Sequence, residues 1–195
     1  MPQSGSRLRL AAYVVFALTV LQLLVATLLP DLDQFEGKAF GWRLLAYPLL
    51  MLVVPALWWL VRGRREEAEP VPWGAFALVM LPFLVDVTGN SLDLYDSIGW
   101  WDDANHFVNW MFLCAGTGLI VCRGLEPAWV VVVVVTGLGA VLAIAWELGE
   151  WFSFIRHGTE IETAYEDTLG DEALGTLGGF VGALLVARRN RPKES

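Results

Sequence analysis

The stretch that decides the fold is 128-AWVVVVVVTGLGAVLAIAWELGEWFSFI-155. It is 28 residues long, and its first 19 carry no charge before Glu147 and Glu150 appear near its end. A helix needs roughly 20 apolar residues to cross the hydrocarbon core of a bilayer, and no period-2 alternation marks this run as a barrel strand. Five further runs fit the same description: Leu8–Leu29, Ala39–Val61, Pro72–Asn90, Asp103–Cys122 and Asp167–Ala187. The expected fold is therefore all-α, a polytopic membrane bundle of six transmembrane helices forming one domain over residues 1–195.

Composition agrees. Of the 195 residues, 56% are hydrophobic and only 17% charged, with a mean hydropathy of +0.53 and ten Trp. A soluble domain carries about a quarter charged residues, so a soluble globular protein and a disordered one are both disfavoured. The formal charge of −8 also makes the chain a poor non-specific binder of nucleic acid.

The charges are distributed unevenly. Alternating the six runs across a membrane puts Arg7, Arg9, Arg62, Arg64, Arg65, Arg123, Arg188, Arg189, Arg191 and Lys193 on one side and Lys38, Arg43 and Arg156 on the other. Ten bases against three predicts that the first side, with both termini, is cytoplasmic. The first run follows Arg7 and Arg9 without a small-x-small cleavage site, so it is expected to be a retained anchor. Trp42, Trp100, Trp101, Trp146 and Trp151 are expected at the outer interface, and Trp58, Trp59, Trp73 and Trp129 at the inner one. The stretch Arg62–Pro70 reads as a solvated cytoplasmic turn and the tail Arg188–Ser195 as a basic stop signal. Cys114 and Cys122 lie about 12 Å apart by helical rise, too far for a mutual disulfide, and read as small buried hydrophobes.

Sixteen of the 21 acids fall on the outer side or in outer half-spans. Several are within the spans, where an ionisable group costs about 2.5–3.5 kcal/mol on insertion scales and normally faces a protein interior. The candidate site residues are Asp103 and His106 at the start of the fourth run, Glu147 and Glu150 at the end of the fifth, and Asp167 and Asp171 at the start of the sixth. Each pair is spaced i, i+3 or i, i+4 and shares a helix face. The Asp167/Asp171 face continues through Gly175, Gly178, Gly179 and Gly182, and the Glu147 face through Ala143, Ala140, Gly139 and Thr136, which points both toward protein rather than lipid. Such a cluster needs protons, bases or a cation to offset its repulsion. The local bases are His106, Arg43, Arg156 and His157. A divalent metal ion on Asp103, His106, Glu147, Glu150 and Asp171 and a structural network of shared protons are both open readings. His157, Asp93 and Asp96 read as solvated loop residues, and Thr168 as a local cap.

The three motifs, Asp103-x-x-His106-Phe107, Glu147-x-x-Glu150-Trp151 and Asp167-Thr168-x-x-Asp171 with its Gly-rich continuation, resemble the YjdF-type family, bacterial multi-pass inner-membrane proteins of unknown function. The resemblance covers about Asp86 to Ala187. The pattern is also similar to the wider VanZ-like group, linked through its founding member to glycopeptide-antibiotic resistance. Gly175 stands where that group carries Asn, and Glu150 where it usually carries Gln, so the resistance phenotype is not carried over. The resemblance implies a bacterial inner-membrane location and a shared outer-leaflet site.

Three functional classes follow. The first is a metal- or carboxylate-assisted hydrolase or transferase, or a binder, of a lipid or lipid-linked headgroup, with Asp103 and His106 as ligands or an orienting pair and Glu147, Glu150, Asp167 and Asp171 as ligands or general base. No Ser-His-Asp or Cys-His arrangement is visible on the outer side. The second is a non-catalytic structural or lipid-binding membrane module. The third is a proton or cation transporter, disfavoured by the apolar inner half-spans Ala75–Leu81, Val130–Val135 and Phe180–Val186.

Overall fold

The computed structural model describes residues 2–36, 38–62, 70–153, 155–157 and 164–190. Among these, every regular element is helical: α1 (Pro2–Leu28), α2 (Phe40–Arg62), α3 (Trp73–Ser91), the single turn α4 (Leu94–Ser97), α5 (Trp101–Val121), α6 (Ala128–Ser153) and α7 (Ala164–Asn190), with a 3₁₀ turn at Ile155–His157. Among the described residues, five helices are long and apolar enough to cross a membrane, at Gly5–Leu28, Phe40–Arg62, Trp73–Ser91, Ala128–Phe152 and Ala164–Asn190. The fourth predicted run is α5, 21 residues long, whose first turns carry Asp102, Asp103, Asn105, His106 and Asn109 and lower its hydropathy. Most of the Arg62–Pro70 turn, the end of the basic tail, Glu160 and Glu162 lie outside the described residues.

The chain divides into two compact units, Met1–Trp101 and Asp102–Ser195. In the first, α1 packs along α3 and against α2. Leu23 and Ala26 of α1, Phe40 and Tyr47 of α2, Val87 of α3 and loop residue Phe35 form its buried apolar cluster. Phe35 meets Phe40 edge-on at 5.3 Å, and Tyr47 meets Phe83 at 5.1 Å. Lipid tails are as apolar as these side chains, so close packing and interhelical hydrogen bonds hold such helices together. One of those bonds runs from Gln22 Nε2 on α1 to Thr88 Oγ1 on α3, at 3.1 Å. Pro48 and Pro55 in α2 and Pro82 in α3 interrupt the backbone ladder, which membrane helices tolerate where neighbours re-satisfy the freed groups.

In the second unit, α7 packs on α6 through glycines. A Cβ on Gly139 would come 3.4 Å from the Gly179 Cα, and one on Gly175 would come 3.4 Å from the Ala143 Cβ. The opposite side of the stripe meets α5: a Cβ on Gly178 would overlap the Phe107 carbonyl oxygen, and one on Gly182 would come 2.6 Å from that of Met111. The Gly175/178/179/182 face is buried, as its spacing predicts, and so is the α6 face through Gly139, Ala143 and Glu147. Cys114 is a free thiol buried beside Gly139 and Gly179, and Cys122 is also free and buried.

Of the Trp residues expected at the interfaces, Trp42, Trp100 and Trp129 are well exposed. Trp58 is not. Expected at the inner interface, it is buried, edge-on to Trp59 at 4.9 Å and to Phe76 at 5.9 Å.

Candidate polar site at the ends of α5, α6 and α7

The start of α5, the end of α6 and the start of α7 lie at one end of the second unit, because the connections reverse the chain twice. On α5, Asp102, Asn105, His106 and Asn109 follow the i, i+3, i+4, i+7 rhythm of one helix face. Asn105 is buried, and Asn109 Nδ2 donates to its Oδ1 at 3.2 Å.

His106 is the centre of this face. Its Nε2 lies 3.7 Å from Asp102 Oδ1 and 3.6 Å from Asp171 Oδ1 of α7; its Nδ1 lies 3.9 Å from Glu147 Oε1 of α6. Glu147 and Asp171 are 6% and 4% exposed, so two carboxyl groups sit inside the packed helices. The Thr168 side chain of α7 hydrogen-bonds Glu147, which changes its expected role from local cap to tie between helices. The charges that bear on Asp171 come from Asp102, Asp167, Glu147 and Glu150, all carboxylates.

The predicted residues are thus placed as follows. His106, Glu147 and Asp171 converge. Glu150 is half-buried, while Asp103 and Asp167 are exposed. Asp102, one residue before the expected Asp103, joins His106 and Asp171: one potential ligand atom from each lies within 4.8 Å of the others. The signal was in the sequence, since Asp102 shares its stripe with Asn105 and Asn109, whereas four and seven residues on from Asp103 stand Phe107 and Trp110.

The other candidate bases are used elsewhere. Arg156 stacks over the Phe152 ring at 5.1 Å. The His157 side chain lies outside the described residues. Arg43 belongs to a separate network in the first unit. Its Nη1 donates to Asp86 Oδ2 at 2.7 Å and to Tyr47 Oη at 3.2 Å. Asp86 also accepts from the hydroxyls of Tyr47 at 2.5 Å and Tyr95 at 2.9 Å and from Asn90 Nδ2 at 3.2 Å. A carboxylate within a candidate membrane span is satisfied here by four side chains, an arrangement that residue spacing did not reveal because its donors come from α2, α3 and α4.

Asp93 and Asp96, expected to be solvated only, are bridged by Lys38. Its Nζ lies 2.5 Å from Asp93 Oδ1 and 2.8 Å from Asp96 Oδ2. Burial alone would lower the Lys38 pKa, but the bonds to Asp93 and Asp96 outweigh it and hold the ammonium above its ordinary range. The bond from Lys38 holds the Asp96 carboxyl below the usual carboxylate range.

Searches of curated proteins and of solved structures return no match for the chain. A family profile does match, over residues 8–192, and it agrees with the expected multi-pass membrane family of unknown function. The chain belongs to the family described as predicted membrane protein (DUF2238).

Proposed function

We propose that the protein crosses the bacterial inner membrane six times, with α5 as the remaining crossing and both termini in the cytoplasm, and that the polar centre around His106 binds the headgroup of a lipid or lipid-linked molecule from the outer leaflet. One observation carries this reading: a single imidazole is surrounded by carboxylates from α5, α6 and α7, two of them buried, at one end of the second unit. Ionisable groups at membrane depth are costly and mark function by default.

The opposite half of the unit supports binding over passage. Val131 and Val135 of α6 and Ala183, Val186 and Ala187 of α7 are buried there, and all are apolar. This apolar packing among the described residues supports a one-sided binding centre over a transport path. His106 and its carboxylates also supply the acid and base groups that hydrolysis or transfer at a headgroup ester or phosphate requires.

The test is native mass spectrometry of the protein released from its own membranes. A headgroup-bearing lipid should be retained by the wild type and reduced at least tenfold in His106→Ala. Equal retention by both overturns the reading. It would favour a purely structural network, which the Asn109–Asn105 and Thr168–Glu147 hydrogen bonds would then constitute.

A further inference from the structure

The separations around His106 have a chemical meaning of their own. At 3.6 and 3.7 Å, the Nε2 contacts to Asp171 and Asp102 are too long to be hydrogen bonds. Ligand atoms about 2.0–2.2 Å from one metal ion at tetrahedral angles stand roughly 3.3–3.6 Å apart. The two separations from His106 Nε2 stand at or just above the top of that range, and one potential ligand atom from each of Asp102, His106 and Asp171 lies within 4.8 Å of the others, close enough for a small inward shift to bring all three onto one ion. A single bridging water is the competing occupant of such a gap.

The other face of the ring offers a carboxylate in the position an orienting group would take. Metal-bound histidines commonly donate their remaining ring N–H to a carboxylate, which fixes the tautomer and strengthens the ligand. His106 Nδ1 faces Glu147 Oε1 at 3.9 Å, and Thr168 hydrogen-bonds that same carboxylate. At 3.9 Å the two do not hydrogen-bond as they stand, but Glu147 is the carboxylate that faces this side of the ring, with Thr168 as its own support. The surrounding charge points the same way, since Asp167 and Glu150 add to the negative field on Asp171.

From this geometry we infer that Asp102, His106 and Asp171 hold one divalent transition-metal ion of the zinc or manganese class, with Glu147 as its orienting carboxylate. One imidazole and two carboxylates form a mixed nitrogen and oxygen set, which suits these ions better than magnesium or calcium, whose ligands are all oxygen. Three protein ligands leave at least one open coordination position, as catalytic metal sites do. This extends the headgroup reading for the same centre. An ion there would turn a carboxylate cluster that repels phosphate into one that attracts it.

The experiment uses the full-length protein in detergent, stripped with chelator and then loaded with zinc or manganese alone. About one ion per chain should remain after gel filtration. His106→Ala and Asp102→Asn should each lower retention at least tenfold, and Asp103→Asn should retain the ion. Cobalt loading guards against misfolded variants: the wild type should show visible d–d bands, and the conservative His106→Gln should alter them while eluting as the same monodisperse species. A folded wild type that holds no ion, or retention unchanged by Asp102→Asn and His106→Ala, overturns the inference and leaves a bridging water only. Lipid retention measured on the same samples separates the two claims. Metal without lipid supports the ion and removes the headgroup; lipid without metal overturns the ion alone.

Discussion

Gly178 of α7 rests directly on the carbonyl of Phe107 of α5, the residue that follows His106. Nothing larger than hydrogen fits at that point, so the two backbones are as close as helices approach. Asp171 lies seven residues before Gly178, two turns back along the same face. The glycine contact therefore sets the distance at which Asp171 meets His106.

Gly178→Ala should separate α5 from α7 and destabilise the protein by about 1–3 kcal/mol, the usual cost of overpacking. Thermal unfolding in detergent measures this. Metal retention by the surviving folded fraction should fall as well. Gly149→Ala, at a position where an added Cβ meets nothing within 4 Å, should change neither quantity, and equal effects of the two substitutions would remove the positioning role from Gly178.

Much of this was legible in the sequence. The long apolar runs at 128–155 and elsewhere could be read as helices because lipid demands internal backbone hydrogen bonding and a minimum length. The glycine stripe of α7 and the Glu147 face of α6 were readable because helical period alone decides which residues share a side. Asp102 and Asp103 were harder. Both lie within a turn of His106, and choosing between them requires the rotation of α5 against α7, which Gly178 and Gly182 set through backbone contacts. The Asp86 network was not legible at all. Arg43 and Tyr47 stand 43 and 39 residues from Asp86, and sequence carries no mark of such a pairing.

Arg43→Ala should be costly at the Asp86 network, because it leaves Asp86 without its only cationic partner within the described hydrogen bonds. Bonds to a charged group are worth about 1.5–3 kcal/mol. The double variant Arg43→Gln/Asp86→Asn should lose less than the sum of the two single variants, since neither half is left charged and alone. Thermal unfolding of the four proteins in the cycle gives the coupling directly, and strict additivity would show that the pair contributes nothing.

The Lys38 bridge predicts a defined pH window. The Asp96 carboxyl, held below its usual value by the bond from Lys38, contributes stability that is present above the unfolded pKa of about 4 and is lost as pH falls through the lowered folded value. Lys38, raised by Asp93 and Asp96, contributes stability that is present below about 10.5 and is lost as pH rises through its folded value. The difference in melting temperature between wild type and Lys38→Met should therefore be greatest from about pH 5 to 9 and shrink on both sides. A difference independent of pH would show that Lys38 acts through packing alone.

Thiol labelling tests the proposed orientation. In a background carrying Cys114→Ala and Cys122→Ala, Glu36→Cys should react with an impermeant maleimide on intact spheroplasts. Glu126→Cys should react only after the membrane is opened, as the positive-inside distribution requires. The reverse pattern would invert the topology.

The most direct measurement is a cross-link across the site. In the same cysteine-free background, Asp102→Cys/Asp171→Cys and Asp103→Cys/Asp171→Cys are each treated in membranes with a short bifunctional thiol reagent and read by mass spectrometry. Asp102 and Asp171 bring potential ligand atoms within 4.8 Å of each other, so the 102/171 pair should be bridged and the 103/171 pair should not. Preferential bridging of the 103/171 pair, or of neither, would contradict a centre built by Asp102, His106 and Asp171.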